Sequence, residues 1–176
     1  MLWNIIIPWL IPIFGILMWL VQNLQHELAH AIVAKSSGAK IIEIWPFPSK
    51  KLGYFSWAYV IFYFEKSPSR IQEGFISAAP FIAAGINMLL ISLILGFHGM
   101  IIHPALSTFL CVMFVTNLVD SSYGLSTFYR KKPKISTDGW KFSSAWNIPE
   151  KIVRFVPIAW KVIFISAILL QLFLPR

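Results

Sequence analysis

Charge is scarce in this chain: of 176 residues only 12% are charged while 57% are hydrophobic. The mean hydropathy of +0.71 lies far above the range of water-soluble domains. Cysteine is nearly absent. The single one, Cys111, sits in an apolar run, so an intrachain disulfide is impossible, cysteine-based zinc fingers are excluded, and any metal site must use His, Asp or Glu. No Ser/Gly linker, low-complexity tract or internal repeat interrupts the chain, which at this length points to one domain, residues 1–176. Disordered, collagen-like and disulfide-stapled classes are excluded by the same composition. No Lys or Arg precedes Lys35, so the charged leader of a signal peptide is missing and residue 1 onward is expected in the mature protein.

The positive charge that is present is unevenly placed. Thirteen of the 15 Lys and Arg residues fall between Lys35 and Arg70 or between Arg130 and Arg154. They flank apolar runs instead of forming one patch, which argues against nucleic acid as a partner and marks two cytoplasmic loops by the positive-inside rule. Four apolar stretches reach the roughly 20 residues that cross a bilayer. The expected spans are about residues 12–34, 74–97, 100–118 and 155–174. Pro8 and Pro12 place the start of the first regular helix near Pro12, since proline is tolerated in a first turn and disruptive inside. The short Lys-free turn around His98 and His103 makes the second and third spans a hairpin turning on the non-cytoplasmic side, with both termini outside.

Between the first two spans, Lys40 to Trp45 and Tyr54 to Phe64 are rich in Ile, Val and aromatics and are broken by Pro46, Pro48 and Gly53, the pattern of an interfacial hairpin within about 40–64. Residues 121–148 form a cytoplasmic-side loop and a short helix, capped by Ser136, Thr137 or Asp138 and running to Trp146 before Pro149. The fold class is therefore an all-α, multi-pass integral membrane protein of about four transmembrane helices, with a small β-hairpin after the first, in contact with the lipid bilayer of a cell membrane.

One motif carries chemistry. His26-Glu27-Leu28-Ala29-His30 is an HExxH sequence, and on a helix positions i and i+4 share a face, so both imidazoles can reach one Zn²⁺ with Glu27 beside it as base. Gln22 and Asn23 continue the stripe one turn earlier. If Lys35 marks the interface, the histidines lie about 8 to 14 Å inward at about 1.5 Å per residue, where polar groups are costly and a metal would offset the cost. A catalytic zinc takes three protein ligands and leaves one position open. Asp120 and Asp138 stand on the correct side, as do Glu43, Glu65, Glu73 and Glu150, whereas His98 and His103 fall on the opposite one. Gly139 lets the backbone approach closely and favours Asp138, with Asp120 open beside it as a ligand or as a turn cap through Ser121 and Ser122.

HELAH in an apolar helix, followed by strands, a small-residue span and a later Asp-Gly, resembles the site-2 protease family of intramembrane zinc metalloproteases over roughly residues 15 to 147. The resemblance implies His26, His30 and Asp138 as zinc ligands, Glu27 as catalytic base, and Asn117 and Asn87 as substrate contacts. It also implies membrane-anchored proteins as substrates, cut within or beside their spans. The chain departs from the family in the long basic segment between Asn117 and Asp138, which contains Arg130-Lys131-Lys132-Pro133-Lys134, and in Ala79 before Pro80 where glycine is usual. Read from the residues alone, Asn87 closes an i, i+4 stripe with Ala79 and Ala83 and serves as polar glue between helices, Pro80 kinks its span, and Tyr123 is an interfacial tyrosine.

The expected function is a zinc metalloendopeptidase of membrane-anchored substrates. The alternatives are a non-catalytic zinc-binding sensor or adaptor, for which Glu27 would be unnecessary, and a metal transporter, which wants charges through several spans. From Gly74 to Val119 there is no Asp, Glu, Lys or Arg. A metalloprotease with a glutamate as third ligand would use Glu73.

Overall fold

A computed structural model of the chain describes residues 2–53, 55–98, 103–126 and 138–153, together with 155, 158, 159, 162, 163, 165 and 166. The first apolar run is one helix, α1 (Leu2–Ser36), which carries Pro8 and Pro12 inside it. This corrects the expected start near Pro12. Each proline removes one backbone hydrogen bond, but abandoning the helix in an apolar segment would strand many more. The two prolines are four residues apart and both exposed.

Gly38 ends α1. It adopts φ +94°, a left-handed conformation that glycine enters without penalty, and the Ala39 amide then returns to the Ala34 carbonyl at 2.9 Å. The chain reverses directly into β1 (Lys40–Trp45), which pairs antiparallel with β2 (Tyr59–Tyr63). A bulge between Ile41 and Glu43 turns Ile42 outward, while Ile41, Phe62 and Phe64 pack on Ala34, Ala39 and Ile76. The hairpin is thereby fastened to the end of α1 and the start of the next helix. Of the expected strand 54–64, the pairing begins only at Tyr59, apart from an isolated bridge between Ser49 and Ser56.

α2 (Arg70–His98) runs back along α1, as Gln72 meets the Ser37 carbonyl, His30 meets the Ile76 carbonyl and Asn87 meets Gln25. α3 (Pro104–Ser126) then returns along α2, with Met88 and Ile91 packed on Leu110 and Phe114. It extends past the expected end at 118, so Asp120 lies inside the helix instead of capping a turn. Apolar character lapses at Asp120, yet the backbone bonds continue through Ser121 and Ser122.

α4 (Asp138–Trp146) packs against α2. Gly74 makes this possible, because a Cβ there would overlap the indole of Trp146, which also meets Phe75 edge-on at 5.1 Å.

Helices α1 and α2 are long and apolar enough to cross a membrane, and a third apolar stretch, Pro104–Asp120, is shorter. Only 11% of the most apolar window of α1 and 33% of that of α2 is buried, the reverse of a core helix in a soluble protein. The fourth expected span, 155–174, lies largely outside the described residues, as do the Ser136 and Thr137 caps and the basic stretch 130–134.

Candidate metal centre

One turn of α1 presents the two HExxH histidines on the face that meets α2, α3 and α4. Their rings stand edge to face with centroids 5.0 Å apart. Asp138, the first residue of α4, enters between them: its Oδ2 is 3.3 Å from His26 Nε2 and 3.2 Å from His30 Nε2. In a tetrahedral site with bonds of about 2.0 to 2.1 Å, neighbouring ligand atoms are about 3.3 Å apart. His26, His30 and Asp138 therefore offer three atoms, all within 4.8 Å of one another, that can hold a metal ion. Among the described residues this is the group of His, Cys, Asp and Glu so arranged.

The far sides of the rings are also engaged. His30 Nδ1 lies 2.7 Å from the Ile76 carbonyl, and His26 Nδ1 lies 3.0 and 3.1 Å from the two oxygens of Asp120. A neutral imidazole has one N–H and one lone pair, but here every ring nitrogen faces an oxygen acceptor. With one proton per ring, each ring would set a lone pair against an oxygen. Positive charge at the two Nε2 atoms removes the conflict, either as two imidazoliums repelling across 5.0 Å or as one cation shared with Asp138.

Burial alone would raise the Asp138 carboxyl, but the His30 and His26 rings outweigh it and hold the group well below the usual carboxylate range. It is available as an anionic ligand. Glu27 is buried, 8% exposed, within electrostatic reach of both histidines and both aspartates. Its carboxylate makes no hydrogen bond among the described residues, which leaves it open to a small molecule beside the three ligand atoms.

Of the two aspartates left open by the sequence, Asp138 faces the Nε2 atoms and Asp120 the back of His26, with Gln22 donating to Asp120 Oδ2 at 3.2 Å. The glutamates lie elsewhere. Glu43 is paired with Lys51 at 2.6 Å and Glu65 with Lys40 at 2.7 Å, while Glu73 is exposed on the first turn of α2. His98 is 22 residues along α2 from Ile76, roughly 33 Å away at about 1.5 Å per residue. His103 accepts from the Ala105 amide at the start of α3.

Asn87 and Asn117 come together, but as members of a cross-helix cluster. Asn117 is fully buried, donates to the Met113 carbonyl at 2.8 Å, and accepts from Gln25 at 3.4 Å and from Asn87 at 3.5 Å; Asn87 also donates to Gln25 Oε1. Gln25 is the member that sequence reasoning missed. Its signal was a polar side chain in an apolar helix, immediately before the HExxH stripe. The side chain of Tyr123 lies outside the described residues. No family model, curated protein or solved structure matches this chain.

Proposed function

We propose that the chain is an intramembrane zinc metalloendopeptidase of the site-2 protease type, acting on membrane-anchored proteins within or beside their spans. The observation that carries the metal reading is that both nitrogens of both histidines face oxygen acceptors, so that a cation between His26 Nε2, His30 Nε2 and Asp138 Oδ2 satisfies all three at once. Two imidazoles and one carboxylate are a donor set that suits zinc and leaves a coordination position for substrate. Zinc bound there supplies Lewis-acid polarisation of a peptide carbonyl and a water acidified towards about 7 from 15.7.

The chain's own residues supply the rest. Glu27, one position after His26, buried and without a hydrogen bond among the described residues, accepts the proton of the attacking water and returns it to the leaving amine. The surrounding helices limit bulk water, which strengthens each electrostatic contact. A substrate helix must unwind before its carbonyls are accessible, and the two-stranded sheet beside the site offers backbone groups to which an extended peptide can add. Asn117 and Asn87 contribute to holding substrate only through the cluster they form with Gln25. The sparsely covered apolar faces of α1 and α2 suit lipid, and the basic segments after α1 and α3 favour a multi-pass arrangement in the cell membrane with the site towards the cytoplasm and the termini outside.

The test is purification in detergent, metal analysis, and incubation of wild type and Glu27→Gln with a panel of single-span substrates. Zinc in both proteins with cleavage by wild type alone is the expected result. Zinc in both with equal cleavage removes Glu27 from its role as base, and zinc in both with cleavage by neither leaves a zinc-binding sensor or adaptor. Absence of stoichiometric metal overturns the reading altogether.

A further inference from the structure

The acceptor behind His30 owes its availability to a proline. In an α-helix the amide of residue i bonds the carbonyl of residue i−4, so the carbonyl of Ile76 belongs to the amide of residue 80. That residue is Pro80, which has no N–H and lies inside α2. Ile76 is buried and Pro80 fully so, which keeps water from the unused carbonyl. A buried carbonyl needs a partner, and His30 Nδ1 supplies one at 2.7 Å, the shortest hydrogen bond that either histidine makes.

From this geometry, and resting on the metal reading above, we propose that Pro80 is a positioning residue for His30. By withholding an amide proton it reserves the Ile76 carbonyl for Nδ1–H, and that bond fixes the tautomer whose Nε2 lone pair faces Asp138. An imidazole that donates from one nitrogen to a fixed acceptor presents the other to a metal in one orientation, and loss of such a partner weakens metal binding by about 10 to 100-fold. Ser77 and Ala79, small residues in the turn of α2 that follows Ile76, are buried. An interior proline ordinarily weakens a helix. Here the missing bond is the functional part.

The test separates the N–H from the shape of the ring. Pro80→Ala restores an amide that competes for the Ile76 carbonyl, whereas the α-hydroxy acid analogue of alanine, placed at position 80 by nonsense suppression, has alanine's side chain and a backbone ester without N–H. Zinc affinity is read by chelator competition, the cobalt-substituted site by its visible spectrum, and the His30 tautomer by nitrogen-15 shifts of the metal-free wild type. The proposal expects a protonated Nδ1 in wild type, at least tenfold weaker zinc and an altered cobalt spectrum in Pro80→Ala, and recovery of both with the ester. Wild-type affinity in Pro80→Ala, or an ester variant as weak as Pro80→Ala, overturns it. Where Pro80→Ala does not fold, the wild-type ring decides: a His30 without a proton on Nδ1 sinks the idea. A wild type that holds no metal yet shows the Nδ1 proton would instead defeat the metal reading while leaving the Pro80 to His30 link standing.

Discussion

Asp120 grips His26 from behind, its two carboxylate oxygens 3.0 and 3.1 Å from Nδ1, and Gln22 donates to the same carboxylate at 3.2 Å. The arrangement ties α3 to the histidine turn of α1 and sets the carboxylate behind the ring, opposite the face that the proposed cation would occupy. Such a carboxylate orients the ring and raises its basicity as a ligand. Asp120→Ala is therefore expected to lower zinc affinity by about 10 to 100-fold while zinc still binds, whereas Asp120→Asn, which retains an oxygen acceptor, loses less. Asp138→Ala should abolish stoichiometric zinc. Metal titration of the three variants checks the order; equal losses at the two aspartates would contradict their assignment to opposite sides of the ring.

How far this was readable in the sequence follows from how local each feature is. His26 and His30 share a helical turn, so their spacing alone declares the pair. β1 and the end of α4 at Trp146 are likewise set by nearby residues: Gly38, the β-branched run and Pro149. The choice between Asp120 and Asp138 was not local, because each is a carboxylate near a helix boundary, and only the packing of α4 on α2 through Gly74 assigns their sides. Pro8 and Pro12 misled because proline's cost was weighed against a helix in water, where a broken bond is replaced by solvent. Gln25 and the Ile76 carbonyl were missed because their significance depends on partners 62 and 46 residues away.

Gly74 lets α4 dock, and α4 delivers Asp138. A methyl group at position 74 would occupy the place of the Trp146 indole, which cannot move aside without disturbing its contacts with Phe75 and Phe142. Gly74→Ala is thus expected to displace α4 and reduce zinc affinity at least tenfold, on the scale of a lost outer contact. Gly15→Ala is the control. It lies in α1 with nothing within 4 Å of the added carbon and should leave zinc binding unchanged, with a helix stabilised by about 0.5 to 1 kcal/mol. Tryptophan fluorescence alongside chelator competition reports both the displaced indole and the weakened site.

Asn117 joins three helices through Gln25 and Asn87, and it is fully buried. Truncation to alanine leaves the two facing amides without their shared acceptor. In a membrane bundle such a bond is worth about 1 to 2 kcal/mol at most. Asn117→Ala is expected to lose about that much stability in detergent unfolding, with zinc content preserved, since no metal-facing atom is altered. A variant as stable as wild type but with a raised KM for cleavage would instead assign Asn117 to substrate contact alone.

The hairpin beside the site has its own electrostatic latch. Lys51 Nζ donates to Glu43 Oε2 at 2.6 Å and the Tyr59 hydroxyl donates to Oε1 at 3.1 Å, joining the loop and β2 to β1. The Lys51 bond is the main reason the Glu43 carboxyl titrates below its ordinary value of 4.5; desolvation opposes the shift and Tyr59 adds to it. A carboxyl lowered by folding contributes stability that is fully present above its unfolded value and is lost as pH falls through the folded one. The hairpin should therefore stay ordered through neutral pH and loosen below about 4.5, sooner at high salt because the pair is exposed to solvent. Glu43→Gln cannot titrate and should lack that acid transition. Fluorescence of Trp45 and Trp57, followed in the presence of chelator so that acid release of metal does not contribute, distinguishes the two proteins; superimposable acid curves would show that the latch does not hold the hairpin.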